Sequence, residues 1–312
     1  MPAEEAFEEI AIGDIQRVAD ELRPAFERTE GRDGYVSFEV SPLLAHETGA
    51  SIRQARDFWA RIDRPNLFIK IPATTEGLPA IRALIAEGIN VNITLLFSLN
   101  RYRAVAESYI AGLEDRLAAG GAIDRVASVA SFFLSRIDLV VDPKLEAMGR
   151  SNAELADRAR ALHGKTAIVC AKQAYQIYKE IFADARFRRL AAAGARTQRV
   201  LWASTSTKRP KERDVRYVEA LIGPDTINTM PLKTLEAFRD HGDPTPRLEE
   251  GLDEVRATLR ELGEIGINLE AVGRQLEEEG IRKFIEPFDH LQAELRRKLA
   301  IGEASASPRS RG

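Results

Sequence analysis

Apolar side chains in this chain alternate between short unbroken runs and longer stretches where they recur every three to four positions. The runs predict strands at 35–40, 67–71, 90–97, 126–133, 199–204 and 226–230. Between them, helical spacing predicts helices at 3–26, with Ile15, Val18 and Leu22 on one face, and at 50–62, 78–87, 99–118 and 165–182. Two more apolar sets follow, Leu252, Val255, Leu259 and Leu262, then Phe288, Leu291, Leu295 and Leu299. Gly31, Gly34, Gly88 and the Gly120-Gly121 pair punctuate the pattern, and Pro72 closes the second run.

Strands alternating with helices, and apolar on both sides, are the mark of parallel βα units with helices outside. The fold class is therefore α/β, as a barrel or an open sheet. A TIM-barrel type (β/α)8 fold needs eight strands, and about six are visible. Either the sheet is open, or the barrel is incomplete because its first two βα units are absent. One domain is expected over 1–301, with the small, polar residues of 302–312 as a disordered tail.

Polar side chains inside these runs carry the functional signal. Lys70 interrupts Leu67-Phe68-Ile69-Lys70-Ile71, and Asn92 and Thr94 share one face of the next run, opposite Val91, Ile93 and Leu95. Such side chains are costly in a core unless they converge on a site. Taken alone, Lys70 has a bland explanation as a strand-end lysine that snorkels to solvent. The functional explanation is a Schiff-base lysine, a class that attacks carbonyls as the neutral amine, the form that burial favours. Its iminium then acts as an electron sink for breaking or forming a C–C bond. Glu39 alternates onto the same side of its strand as Ser37, away from Val36, Phe38 and Val40. It is either an exposed strand residue or the carboxylate that activates the water exchanged with the iminium. Asn92 and Thr94 are either a structural hydrogen-bonding pair or the groups that orient substrate hydroxyls and that water. Ser131 and Arg136 are either a strand-end pair, with Arg136 bound to Asp138 or Asp142, or a phosphate site at the carboxyl end of a strand.

Composition narrows the classes. With 312 residues, 44% hydrophobic side chains and a net charge of −3, the chain is globular and lacks the basic patch of a nucleic-acid binder. Cys170 is the single cysteine, so no disulfide forms within the chain, which fits a reducing compartment. His46, His163, His241 and His290 are scattered without metal-ligand spacing, so neither a metal nor another cofactor is expected. No signal peptide or apolar span of membrane length appears, and a cytoplasmic protein without a membrane partner is expected. The assembly state is open, with a homodimer compatible.

These segments resemble transaldolase in its longer bacterial form, over nearly the whole chain. The matching stretches are Val36-Ser37-Phe38-Glu39-Val40, Phe68-Ile69-Lys70-Ile71-Pro72-Ala73-Thr74, the run from Gly88 to Phe97, and Ala130-Ser131-Phe132-Phe133-Leu134-Ser135-Arg136-Ile137-Asp138. Leu201-Trp202-Ala203-Ser204-Thr205-Ser206 and the segment from Ile222 to Pro231 match as well. The resemblance implies a (β/α)8 class I aldolase fold. It also implies transfer of a dihydroxyacetone unit from sedoheptulose 7-phosphate or fructose 6-phosphate to an aldose phosphate, in the non-oxidative pentose phosphate pathway. Carried over by position, Lys70 forms the Schiff base, Glu39 and Thr94 hold the catalytic water, Asn92 orients the three-carbon unit, and Ser131 and Arg136 bind near the substrate and its phosphate. Where the family often has a second phosphate-binding arginine, this chain reads Thr205-Ser206-Thr207-Lys208, so Ser204, Ser206 or Lys208 stands in. The family's opening strand with its general acid/base aspartate, and a second strand ending in Thr-Ser-Asn-Pro, have no match here. That leaves a catalytically impaired barrel that only binds sugar phosphates, or a fructose 6-phosphate aldolase-like enzyme, as alternatives.

Overall fold

The computed structural model describes residues 2–306. Its strands are β1 (Val36–Glu39), β2 (Leu67–Pro72), β3 (Val91–Leu96), β4 (Ser128–Phe133), β5 (Arg199–Ala203) and β6 (Thr226–Asn228). The helices of the first half are α1 (Ala3–Arg28), α2 (Thr48–Ile62), α3 (Gly77–Glu87), α4 (Leu99–Ala118), α5 (Ser135–Ser151) and α6 (Ala153–Leu162). They are followed by α7 (Thr166–Phe182), α8 (Ala185–Ala192), α9 (Arg216–Glu219), α10 (Leu232–His241), α11 (Leu252–Glu264) and α12 (Leu269–Ala306).

All six strands run parallel in one sheet whose spatial order is the order in sequence, β1 to β6. Parallel crossovers are right-handed almost without exception. Six strands added always in the same direction therefore put the helices that connect them on the same face, as in a barrel and unlike a doubly wound sheet, where the order reverses. Among the described residues β1 and β6 are the two edges.

Two apolar layers follow from the alternation of side chains. Ile69, Ile71, Val91, Ile93, Leu96, Ala130, Phe132, Val200 and Trp202 point outward and join the helices in the main core. Trp202 is 1% exposed, and its indole N–H donates to the Leu221 carbonyl at 3.2 Å, so even its polar edge is satisfied. A smaller inner layer of Phe68, Ala127, Val129, Leu201 and Ala203, flanked by Tyr35, Phe133 and Ile227, fills the concave face. Each fully buried aliphatic side chain contributes about 1.5–3 kcal/mol, so this double layer explains why the runs tolerate few polar residues.

Two expectations change, the buried face of α1 and where the tail begins. The buried residues of α1 are Ala3, Ala6, Ile12 and Ala19, whereas Val18 is 42% exposed and Ile15 and Leu22 only half-buried. The last apolar set belongs to one 38-residue helix, α12, that runs on through Pro287. That helix includes residues 302–306 of the expected tail, and residues 307–312 lie outside those described. No helix among the described residues is long and apolar enough to cross a membrane.

Cys170 lies on α7, fully buried, and burial pushes its thiol well above the ordinary range. The folded chain thus keeps the proton that the unfolded chain releases near pH 8.5, so this group's contribution to stability is complete below that pH and is lost as pH rises toward the higher folded value. The expected result is negligible reaction with a disulfide reagent at pH 8 in the native protein and one thiol per chain in denaturant. A full native titration would contradict this burial.

Candidate active site

The register of the first three strands sets Glu39, Lys70 and Asn92 side by side, since Glu39 pairs with Lys70 and Lys70 with Asn92. All three face the concave side, because their neighbours Phe38, Ile69, Ile71, Val91 and Ile93 pack into the helical core. Lys70 Nζ donates to Glu39 Oε2 at 2.6 Å, and the two side chains are 24% and 27% exposed. The ammonium is therefore paired and reachable from solvent, rather than stranded in an apolar wall as burial alone would have it.

Asn92 is held at both ends of its amide. Its Nδ2 donates to Ser37 Oγ at 3.0 Å, and its Oδ1 accepts from Ser131 Oγ at 2.7 Å. One amide N–H of Asn92 stays available for a ligand. One inward step further along β3, Thr94 is fully buried and its hydroxyl has no hydrogen-bond partner among the described residues. A buried hydroxyl left unpaired costs about 1–3 kcal/mol, and such orphans call for an explanation. A substrate oxygen or a water between Thr94 and the Glu39–Lys70 pair would satisfy it.

A second group of polar residues forms where β4 and β5 end. Leu134 and Ser135 continue the pairing past the strands, their amides donating to the Ala203 and Ser204 carbonyls. This sets the start of α5 beside Ser204, and the Ser135 and Ser204 hydroxyls lie 2.9 Å apart. Arg136 is the second residue of α5, half-buried. Both carboxylates that offered it a bland pairing are engaged elsewhere. Asp138 accepts from the Ala167 amide and the Tyr217 hydroxyl, each at 2.8 Å, while Asp142 accepts from the Gly164 amide and pairs with Arg209 at 2.7 Å. Burial pushes the Asp138 carboxyl above its ordinary range, against those two donors, and burial together with Asp138 raises the Tyr217 hydroxyl. An Arg guanidinium paired with neither acid, at a helix N-terminus lined by hydroxyls, is a setting for an anion. Ser206 and Lys208 lie further along the loop after β5, with Lys208 Nζ 2.6 Å from Ser206 Oγ and Lys208 exposed.

The structure thus brings Lys70, Glu39, Asn92 and Ser131 together, places Thr94 further along β3, and sets Ser135, the residue before Arg136, against Ser204. Ser131, expected near the substrate and its phosphate, donates its hydroxyl to Asn92 Oδ1. A family model described as Transaldolase/Fructose-6-phosphate aldolase matches residues 1–295. The chain belongs to the transaldolase/fructose-6-phosphate aldolase family.

Among its relatives named transaldolase, one from Parafrankia sp. is 51% identical over 296 residues, covering 95% of this chain and 79% of its own. One from Thermobifida fusca is 48% identical, covering 95% of this chain and 79% of its own, and one from Thiobacillus denitrificans is 46% identical, covering 94% and 80%. Two residues of this transaldolase/aldolase-family chain escaped the sequence reading. Ser37 shares the inner face with Glu39, and its spacing of two was the available signal. Ser135 had none, because its role depends on α5 meeting β5.

Proposed function

We propose that this chain is a transaldolase, moving a dihydroxyacetone unit from a ketose phosphate such as fructose 6-phosphate or sedoheptulose 7-phosphate to an aldose phosphate through a Schiff base on Lys70. The observation that carries the reading is the 2.6 Å Lys70–Glu39 contact beside a clamped Asn92 amide and an unsatisfied Thr94 hydroxyl. Glu39 takes a proton from Nζ, and the freed amine attacks the ketose carbonyl carbon. The carbinolamine then loses water, which Glu39 protonates as it leaves and Thr94 hydrogen-bonds. A water held by the Glu39 carboxylate takes the proton of the hydroxyl on the departing carbon, the iminium accepts the electron pair of the C–C bond between its α carbon and that carbon to become an enamine, and the fragment departs as an aldehyde. Asn92 holds a hydroxyl of the three-carbon unit until the acceptor aldehyde arrives, and water then releases the product by the reverse of the first steps.

Arg136, with Ser204 and Ser135 beside it, binds the substrate phosphate, and Ser206 and Lys208 extend this anion site. An Arg136→Ala variant is expected to raise KM for fructose 6-phosphate about 10–100-fold, the loss of one charge-assisted contact of about 1.5–3 kcal/mol, while kcat changes less. Steady-state kinetics over a range of donor concentrations checks it.

The decisive assay measures release of glyceraldehyde 3-phosphate from fructose 6-phosphate with and without erythrose 4-phosphate. Turnover that needs the acceptor supports the transferase. Equal turnover without it assigns a fructose 6-phosphate aldolase-like activity instead, and a Lys70 adduct trapped by borohydride without any turnover leaves a barrel that only binds sugar phosphates. The reading includes a cytoplasmic location, supported by the lone buried thiol of Cys170. It also includes a homodimer, which sedimentation would distinguish from a monomer.

A further inference from the structure

Helix α12 meets the carboxyl end of β3 at two glycines. A Cβ on Gly273 would stand 2.7 Å from Ser98 Cβ and 3.6 Å from the Ser98 Cα and N, and one on Gly280 would stand 2.8 Å from Leu95 Cδ2. At Gly273 the struck atom is a Cβ fixed to the backbone, so only glycine lets the helix sit this low there, whereas at Gly280 it is the end of the Leu95 side chain, which a methyl would displace. Seven residues apart, the two positions lie on one face of α12.

The segment they touch is irregular. Ile93 pairs with Ala130 and Leu96 with Phe132, so three steps along β3 match two along β4 and one residue is extra. Leu95 has φ +54°, a left-handed conformation that costs a leucine about 1–2 kcal/mol. The bulge has a purpose that can be read from the faces. Simple alternation after Asn92 and Thr94 would turn Leu96 into the concave side, whereas the bulge sends Leu96 with Phe132 into the outer core. Thr94 becomes the last inward residue of β3. Strain of this kind persists only where the surroundings fix it, and Leu95, 2% exposed, is covered by α12. Between the glycines, Glu277 lies 3.5 Å from Arg101, whose guanidinium donates to Thr75 Oγ1 at 3.3 Å in the loop after β2. The helix is thereby tied to the ends of both strands that carry Lys70 and Thr94.

We propose that Gly273 and Gly280 are positioning residues for the reaction: by seating α12 on Ser98 and Leu95 they hold the β3 bulge, and the bulge fixes the Thr94 hydroxyl relative to Lys70. The proposal rests on the roles given above to Lys70 and Thr94. Its measure is the rate of iminium formation, read by quenching enzyme and saturating fructose 6-phosphate with borohydride at timed intervals and quantifying the Lys70 adduct. Gly273→Ala is expected to slow this rate about tenfold, as a displacement well under 1 Å would, and to move the half-saturating sugar concentration by less than about twofold. Ser98→Gly removes the atom that the new methyl strikes and costs little as a helix cap, so Gly273→Ala/Ser98→Gly is expected within about threefold of Ser98→Gly alone. In a Thr94→Ala background, Gly273→Ala is expected to add no further slowing, which a general loss of stability would not reproduce.

An unchanged rate in Gly273→Ala, no rescue in the double variant, or full additivity with Thr94→Ala each overturns the proposal. If Gly273→Ala fails to fold, Gly280→Ala with and without Leu95→Ala puts the same question at the other contact, with the same outcomes decisive. Absence of a Lys70 adduct in the wild-type chain would instead overturn the nucleophile assignment, so the two failures are separable.

Discussion

A Lys70→Met variant is expected to lose turnover by on the order of 10⁵-fold or more, since without a primary amine no iminium and no electron sink can form. Methionine keeps the length and apolar stem of lysine, so the inner face stays filled. The measurement is paired: the coupled assay for activity, and borohydride reduction in the presence of fructose 6-phosphate followed by peptide mass analysis. Wild-type protein should carry the reduced sugar on the peptide containing Lys70, and the variant should carry none. Equal labelling of the variant would move the nucleophile elsewhere. The substitution also strands Glu39, whose side chain is 27% exposed. With that exposure a modest loss of stability, about 1–2 kcal/mol, is expected, less than for a fully buried charge pair.

The second large effect is expected at Glu39. Glu39→Gln keeps the shape and a hydrogen-bonding contact with Lys70 Nζ but cannot accept the proton, and should lower kcat about 10²–10³-fold with KM within a few-fold. Lys70 should remain trappable, only more slowly, since the nucleophile is intact. Glu39→Ala adds a sharper test, because it leaves space beside Nζ for a small external acid. Activity that returns in proportion to added formate would locate the proton transfer at this carboxylate. A Glu39→Ala variant that is as active as wild type, or inert to formate at every concentration, would refute the assignment.

The strands were readable because parallel strands buried on both faces can hardly contain anything but apolar residues, so Lys70, Asn92 and Thr94 stood out against them. Alternation then put Glu39, Lys70 and Asn92 on the concave face, and failed beyond Thr94, where the bulge sends Leu96 outward. The same reasoning missed the packing of α1. It followed the large residues Val18 and Leu22, while the sheet side takes Ala19, 0% exposed, whose carbonyl accepts from Asn66 Nδ2 at 2.8 Å. Close approach rewards the smallest residue, and periodicity of large side chains cannot register that. Contacts between elements far apart in sequence were equally hidden. The Asp142–Arg209 pair that leaves Asp142 unavailable to Arg136 joins α5 to the loop after β5, and sequence alone offered Asp142 to Arg136 with equal justice. The Ser37 and Ser131 bonds to Asn92 likewise depend on strand register. The final helix was legible only in part, through Phe288, Leu291, Leu295 and Leu299, because in its first half, from Leu269, the large apolar residues keep a less regular helical spacing.

Ser204, like Leu95, is a non-glycine residue held in the left-handed region, at φ +56°. Anyone engineering this protein for heat tolerance would find Ser204→Gly attractive, since relieving that conformation is worth about 1 kcal/mol where glycine fits. The same exchange deletes the hydroxyl that faces Ser135 beside Arg136. A screen for survival at high temperature would therefore enrich a substitution that weakens the proposed anion site, whereas a screen for activity at low substrate would discard it. If Ser204 serves the anion site proposed above, stability and substrate capture compete at one backbone position, and libraries at 204 should be sorted on both traits together.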